Sequence, residues 1–164
     1  MTSPHFPAAI LIVRHGEKPG DNSDPHLNDV GRVRADMLAK TFPSLYPNLA
    51  VLFAAAASTN SNRSYETIEP LAKAMRLVVN NSFSNGQHSE LAEYILRGSE
   101  DYGGKTILIC WHHEKIPVLA RDDLGQEGAP TFWSDDVFDQ IWQIDYSSDG
   151  HSTFTINAEP PIST

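Results

Sequence analysis

An uninterrupted apolar run over residues 8–13 ends directly on Arg14-His15-Gly16, and no other feature constrains the fold as tightly. A strand with no polar position must be buried on both faces, and such strands belong to parallel sheets covered by helices. Residues 50–57 and 106–110 repeat the pattern. Between these runs lie stretches of helical periodicity. Asn28 or Asp29 is placed to cap a helix carrying Val33, Met37, Leu38 and Phe42 on one side, with Pro43 and Pro47 as its stop. A second helix runs through Arg63, Thr67, Ile68, Leu71 and Met75, and Pro70 inside it predicts a kink or a late start. Residues 76–79 read as a short strand, 90–96 as a short helix, and a further helix is expected near 117–124. Residues 138–145 and 153–156 alternate apolar with polar around the turn Ser148-Asp149-Gly150, the signature of a hairpin with one solvated face. The expectation is an α/β fold: a three-layer α/β/α sandwich around a mainly parallel sheet, with antiparallel edge strands near the C-terminus, forming a single domain over 1–164.

Charge narrows the function. Twenty-one acidic residues against 12 basic ones give a net charge of −9, which argues against nucleic acid as a partner. Apolar runs far below the roughly 20 residues of a membrane helix, no signal-peptide pattern, and a lone cysteine, Cys110, together predict a soluble cytoplasmic protein without membrane partners.

The chemistry is expected at the carboxyl ends of the strands, where open α/β sheets bind ligands. Arg14 offers a planar fork of donors matched to phosphate oxygens, His15 a nitrogen nucleophile that is largely neutral near pH 7, and Gly16 a sharp turn. Arg63 follows the second strand and the pair His112-His113 follows the strand over 106–110. In a parallel sheet all of them leave from one edge. Two guanidiniums and a second imidazole around a nucleophilic histidine make a pocket for a tetrahedral dianion.

In these motifs the chain resembles the histidine phosphatase superfamily, the phosphoglycerate mutase-like proteins, and more closely its short members without a large cap insert. Arg14-His15-Gly16 matches the family's hallmark. Leu27-Asn28…Gly31-Arg32…Arg34-Ala35 resembles the stretch that opens its first helix, residues 61–67 its second-arginine motif, and residues 107–117 its second-histidine strand. The resemblance implies a phosphatase acting on a phosphorylated small molecule or phosphoprotein, with inorganic phosphate as product and neither cofactor nor metal. Arg14, Arg63 and the second histidine would hold the phosphoryl oxygens while His15 attacks phosphorus, giving a phosphohistidine that water hydrolyses. The other ring nitrogen of His15 would donate to the Gly16 carbonyl. Counting back from Ile116-Pro117 selects His112 as the second histidine. Counting forward from Trp111 selects His113, the preferred assignment. The general acid is open among His88, Glu90 and Glu114.

Other readings compete. A phosphate-binding or regulatory module could keep the fold without turnover, and a phosphomutase would retain the phosphohistidine. A metal site drawn from His15, His88, His112 and His113 is disfavoured by the neighbouring arginines and by the lack of metal-ligand spacing. Trp142 is assigned to the core, while Trp111 and Trp133 stay unassigned. His5, His26 and His151 are read as solvated, with His26 a candidate for the pocket rim.

Overall fold

The computed structural model describes residues 6–21, 23–97 and 102–162; His5 lies outside them. Strand β1 (Ala9–Arg14) is buried along its whole length, as its sequence demands. It pairs in parallel with β4 (Thr106–Trp111), and β4 pairs in parallel with β2 (Leu49–Ala54). A two-residue strand β3 (Val79–Asn80) closes that side. On the other side β1 meets β5 (Gln140–Tyr146) antiparallel, and β5 forms a hairpin with β6 (Ser152–Ala158). The sheet order is therefore β3-β2-β4-β1-β5-β6.

Side chains alternate across the sheet, so each strand feeds two cores. Leu11, Val13, Leu52, Leu108 and Cys110 pack beneath α1 (Asp29–Leu45) and α2 (Arg63–Met75) with Leu38, Phe42, Ile68 and Leu71. Ile10, Ile12, Phe53, Ile107, Ile109 and Trp111 face α3 (His88–Arg97) with Leu91 and Ile95. The short α4 (Ile116–Val118) adds Ile116 to that second core, and the wide turn Leu119–Asp123 adds Leu119. The result is the three-layer sandwich with its antiparallel C-terminal edge. Trp111 and Trp133 join Trp142 in the interior. Among the described residues no helix is long and apolar enough to cross a membrane.

Local signals fail where packing outweighs them. Asn28 caps α1 through Oδ1, which accepts the Gly31 N–H at 2.8 Å. The helix then runs past Pro43 to Leu45. Buried Phe42 holds this last turn in place, and its carbonyl accepts the Tyr46 N–H at 2.7 Å. Likewise α2 starts at Arg63 and carries Pro70 in its interior. An interior proline costs about 3 kcal/mol, which burial of Ile68 and Leu71 offsets. Residues 76–78 are not strand: Arg76 ends α2 in the left-handed region at φ 57°. The helix expected near 117–124 is a single turn followed by the wide turn.

The first turn of α1 makes one unusually close approach. Gly31 lies against the backbone of Glu17, and a Cβ there would stand 2.5 Å from the Glu17 oxygen and 2.9 Å from its nitrogen. Neither backbone atom can move without shifting the segment after His15. Gly31→Ala is expected to lose about 2 kcal/mol of stability or more, read as a lower urea midpoint at unchanged slope.

Candidate active site

Parallel pairing in register places Arg14 opposite Trp111 and Ala54 opposite Cys110. Because β4 lies between β2 and β1, the segments that follow these strands emerge side by side. The His15 N–H continues the ladder to the Trp111 carbonyl at 3.1 Å, and the Ala55 N–H reaches the Cys110 carbonyl at 3.2 Å.

His15 is buried, and its Nδ1 donates to the Gly16 carbonyl at 2.7 Å. That bond fixes the tautomer, leaving Nε2 with a free lone pair. Burial, reinforced by the charges of His112, Arg14 and Arg63, pushes the His15 pKa down to about 3, against the Gly16 bond acting the other way. The imidazole is thus neutral at physiological pH. Its edge-on neighbour, with ring centroids 5.2 Å apart, is His112. The structure therefore sets His112, the alternative of the pair, against His15. The alternation that sends Trp111 into the α3 core turns His112 to the opposite face, the one His15 occupies. His113 lies on the Arg14 side, half-buried, within the field of Arg14 and Glu114. Burial chiefly lowers the His112 pKa as well, to about 4.

The two arginines share a mode of support. Arg14 Nη1 donates to the carbonyls of Asp135 (2.6 Å) and Val137 (2.9 Å), and the guanidinium lies over the Phe138 ring at 3.8 Å. Its Nε and Nη2 are buried and have no hydrogen-bond partner among the described residues. Burial lowers its pKa to about 10, so it stays charged at neutral pH. Arg63 donates to the Asp24 carbonyl (2.6 Å), the His26 carbonyl (3.1 Å) and Ser61 Oγ (3.3 Å). Two of its five N–H groups remain free of those bonds. Backbone carbonyls orient both cations without neutralising them, with the Phe138 ring added at Arg14 and the Ser61 hydroxyl at Arg63. Arg34 is the contrast: it forms a fork with Glu17 at 2.9 and 2.7 Å and reaches Glu159 at 3.1 Å. That buried network anchors the segment directly after Gly16.

Thr67 joins the two phosphate-type motifs. Its Oγ1 accepts the Gly16 N–H at 2.8 Å and donates to the Arg63 carbonyl at 2.7 Å. His26 is exposed, its Nδ1 donating to Glu66, which also accepts the Leu27 N–H at 2.9 Å. His151 is exposed beside Asp149. Of the acid candidates, Glu114 is exposed, and its charge is felt at Arg14, His112 and His113. His88 is committed to Asp123 through Nδ1, and Glu90 is exposed on α3. Among the described residues no group of three or more His, Cys, Asp or Glu side chains is placed to hold a metal ion.

Sequence reading missed Thr67, Phe138, the carbonyls of Asp135 and Val137, and the Glu17–Arg34–Glu159 network. Thr67 stands one helical turn after Arg63, a spacing that could have flagged it. The carbonyl partners lie more than a hundred residues from Arg14 and leave no trace in side-chain identity.

No family profile and no curated protein matches the sequence. Solved structures do match the fold. The protein histidine phosphatase SixA complexed with tungstate superposes with a TM-score of 0.65 at 17% identity, covering 92% of this chain and 96% of that one. Phosphoserine phosphatase from Entamoeba histolytica, in complex with 3-phosphoglyceric acid, gives 0.63 at 16%, with 92% and 96% covered. Phosphoglycerate mutase from Plasmodium falciparum gives 0.58 at 14%, with 95% of each chain covered. The chain has the phosphoglycerate mutase-like fold.

The supporting network is open to two tests. Burial raises the Glu159 carboxyl from an ordinary 4.5 to about 8, with Arg34 pulling the other way. The folded chain then holds a proton that the unfolded chain releases, so this group's stabilisation is full below pH 4.5 and is lost as pH rises towards 8. Glu159→Gln should remove that part of the decline, measured as urea midpoints across the window. Thr67→Val leaves the Gly16 N–H buried without a partner and should cost about 1–3 kcal/mol, with Thr67→Ser retaining most of it.

Proposed function

We propose that the chain is a phosphatase that hydrolyses phosphomonoesters or protein-bound phosphate through a phosphohistidine on His15. The observation that carries this reading is the pairing of a neutral His15, its Nδ1 already bonded to the Gly16 carbonyl, with a charged Arg14 whose Nε and Nη2 are buried and unpartnered. Among the described residues no hydrogen-bond acceptor meets those donors, and the Asp135 carboxylate stands off at 3.9 Å from Nη2. A phosphoryl group has the charge and the oxygen geometry to meet them. The likeness of the fold to solved phosphatases supports the same reading.

In the proposed reaction Arg14, Arg63 and His112 bind the non-bridging oxygens. A bound dianion favours the protonated form of His112, against the burial that otherwise keeps it neutral. The Nε2 lone pair of His15 forms a bond to phosphorus as the bond to the leaving oxygen breaks, and Glu114 or solvent supplies that oxygen with a proton. A water oxygen then attacks phosphorus, the N–P bond breaks, orthophosphate leaves, and His15 returns to its starting tautomer. The Nδ1–H stays on the Gly16 carbonyl throughout. Such chemistry rests on positioning and on stabilising charge at the equatorial oxygens, which fixed guanidiniums supply without a metal ion.

Hydrolysis of a generic aryl phosphate, measured with a chelator present, tests this. His15→Ala should lower kcat by at least about a thousandfold, and the chelator should leave wild type unaffected. His112→Ala should cost about a hundredfold or more, and His113→Ala markedly less. Wild-type activity that survives His15→Ala would sink the mechanism.

A further inference from the structure

The path to Arg14 is lined with the wrong charge for a polyanion. The Asp135 carboxylate is 79% exposed, and its Oδ1 lies 3.9 Å from Arg14 Nη2, one of the two buried nitrogens without a hydrogen-bond partner. Asp136 follows it, also exposed. Glu114, directly after the His pair, is exposed as well. Asp135, Asp136 and Glu114 all act on Arg14, and Asp135 and Glu114 act on His113. On the other side Lys18 is the opposing cation felt at His113. Three exposed carboxylates thus act on this end of the site, in a chain whose overall charge is −9. Among the described residues none of these rim acids is tied to a basic side chain as Glu17 is to Arg34; the Asp135 contact with Arg14 is too long for a hydrogen bond.

A phosphate dianion entering alone meets repulsion at the rim before it reaches the guanidinium. A substrate that carries a cation beside its phosphate meets attraction at the rim and at the floor together. We propose that Asp135 and Asp136, with Glu114, make this site select phosphomonoesters that bear an ammonium or guanidinium group next to the phosphate, and discriminate against those that bear a second anion there. The proposal rests on the phosphoryl-transfer reading of the site. It assigns Asp135 and Asp136 to specificity alone and leaves the chemistry to His15, Arg14, Arg63 and His112, with Glu114 free to act in both.

Phosphoethanolamine and 3-phosphonooxypropionate differ in the sign of one charge at nearly equal length. At low ionic strength wild type should favour the ammonium ester in kcat/KM by about tenfold or more. The preference should fall towards unity in the Asp135→Asn/Asp136→Asn double variant, which keeps the Asp135 backbone carbonyl on Arg14. About 1 M salt, where the Debye length is about 3 Å, should weaken it in wild type too. If the double variant does not fold, the salt dependence of the wild-type ratio decides alone. Calorimetric binding of the two esters to His15→Ala reads the same preference without turnover. Equal binding of both esters, or a preference untouched by salt and by the double variant, overturns the proposal even where aryl phosphate is hydrolysed. A clear ammonium preference in binding with no turnover by wild type upholds charge selection and removes the phosphatase reading instead.

Discussion

The register between β1 and β4 governs everything else in this molecule. Once Val13 lies opposite Cys110 and Arg14 opposite Trp111, the next residues of both segments, His15 and His112, have one face of one sheet edge to share. A slip of one residue would exchange the two faces of β1, sending Leu11 and Val13 towards the core of Ile10 and Ile12 and parting His15 from His112, because side chains alternate strictly along a strand. Leu11 and Val13 in one core, with Ile10 and Ile12 in the other, therefore hold the site as firmly as any contact within it. Burial that stabilises the fold also sets the chemistry: the apolar surroundings that order β1 keep His15 uncharged.

The arginines divide by the company they keep. Arg34 has carboxylates and is spent on structure, bracing Glu17 and so the turn after Gly16. Arg14 and Arg63 are aimed by carbonyl oxygens of distant loops, which fix direction while leaving a full positive charge. A carboxylate in close contact would hold a guanidinium equally well and would compete with phosphate for it. Using peptide dipoles in place of counter-ions is how a chain so short of basic residues can present a strongly cationic floor.

Much of this was legible in the sequence, for physical reasons. Apolar runs on both sides of a strand have few alternatives, so β1, β2 and β4 and the edge where they end follow from composition and order. The hairpin was equally open to reading from its period of two. Pro43 misled because a breaker is a local preference of a few kcal/mol, whereas Phe42 is committed to the core. The choice between His112 and His113 turned on one residue of strand length. Had Trp111 been read as an inward-facing strand residue, alternation alone would have put His112 beside His15. The support around Arg14 lay beyond reach, since backbone carbonyls carry no residue code.

The same topology orders events as the chain is made. β1 leaves the ribosome first, yet its sheet partners β4 and β5 lie roughly a hundred residues downstream. Until they arrive, its unbroken apolar run has both edges and both faces unprotected, the exposure that invites chaperone capture or self-association. Arg14 gains its carbonyl supports only when the segment bearing Asp135 and Val137 closes over the end of β1. The carbonyl cradle of Arg14 is thus among the last features to be completed, and a nascent chain passes through a long interval in which its most vulnerable strand is present and that cradle is not.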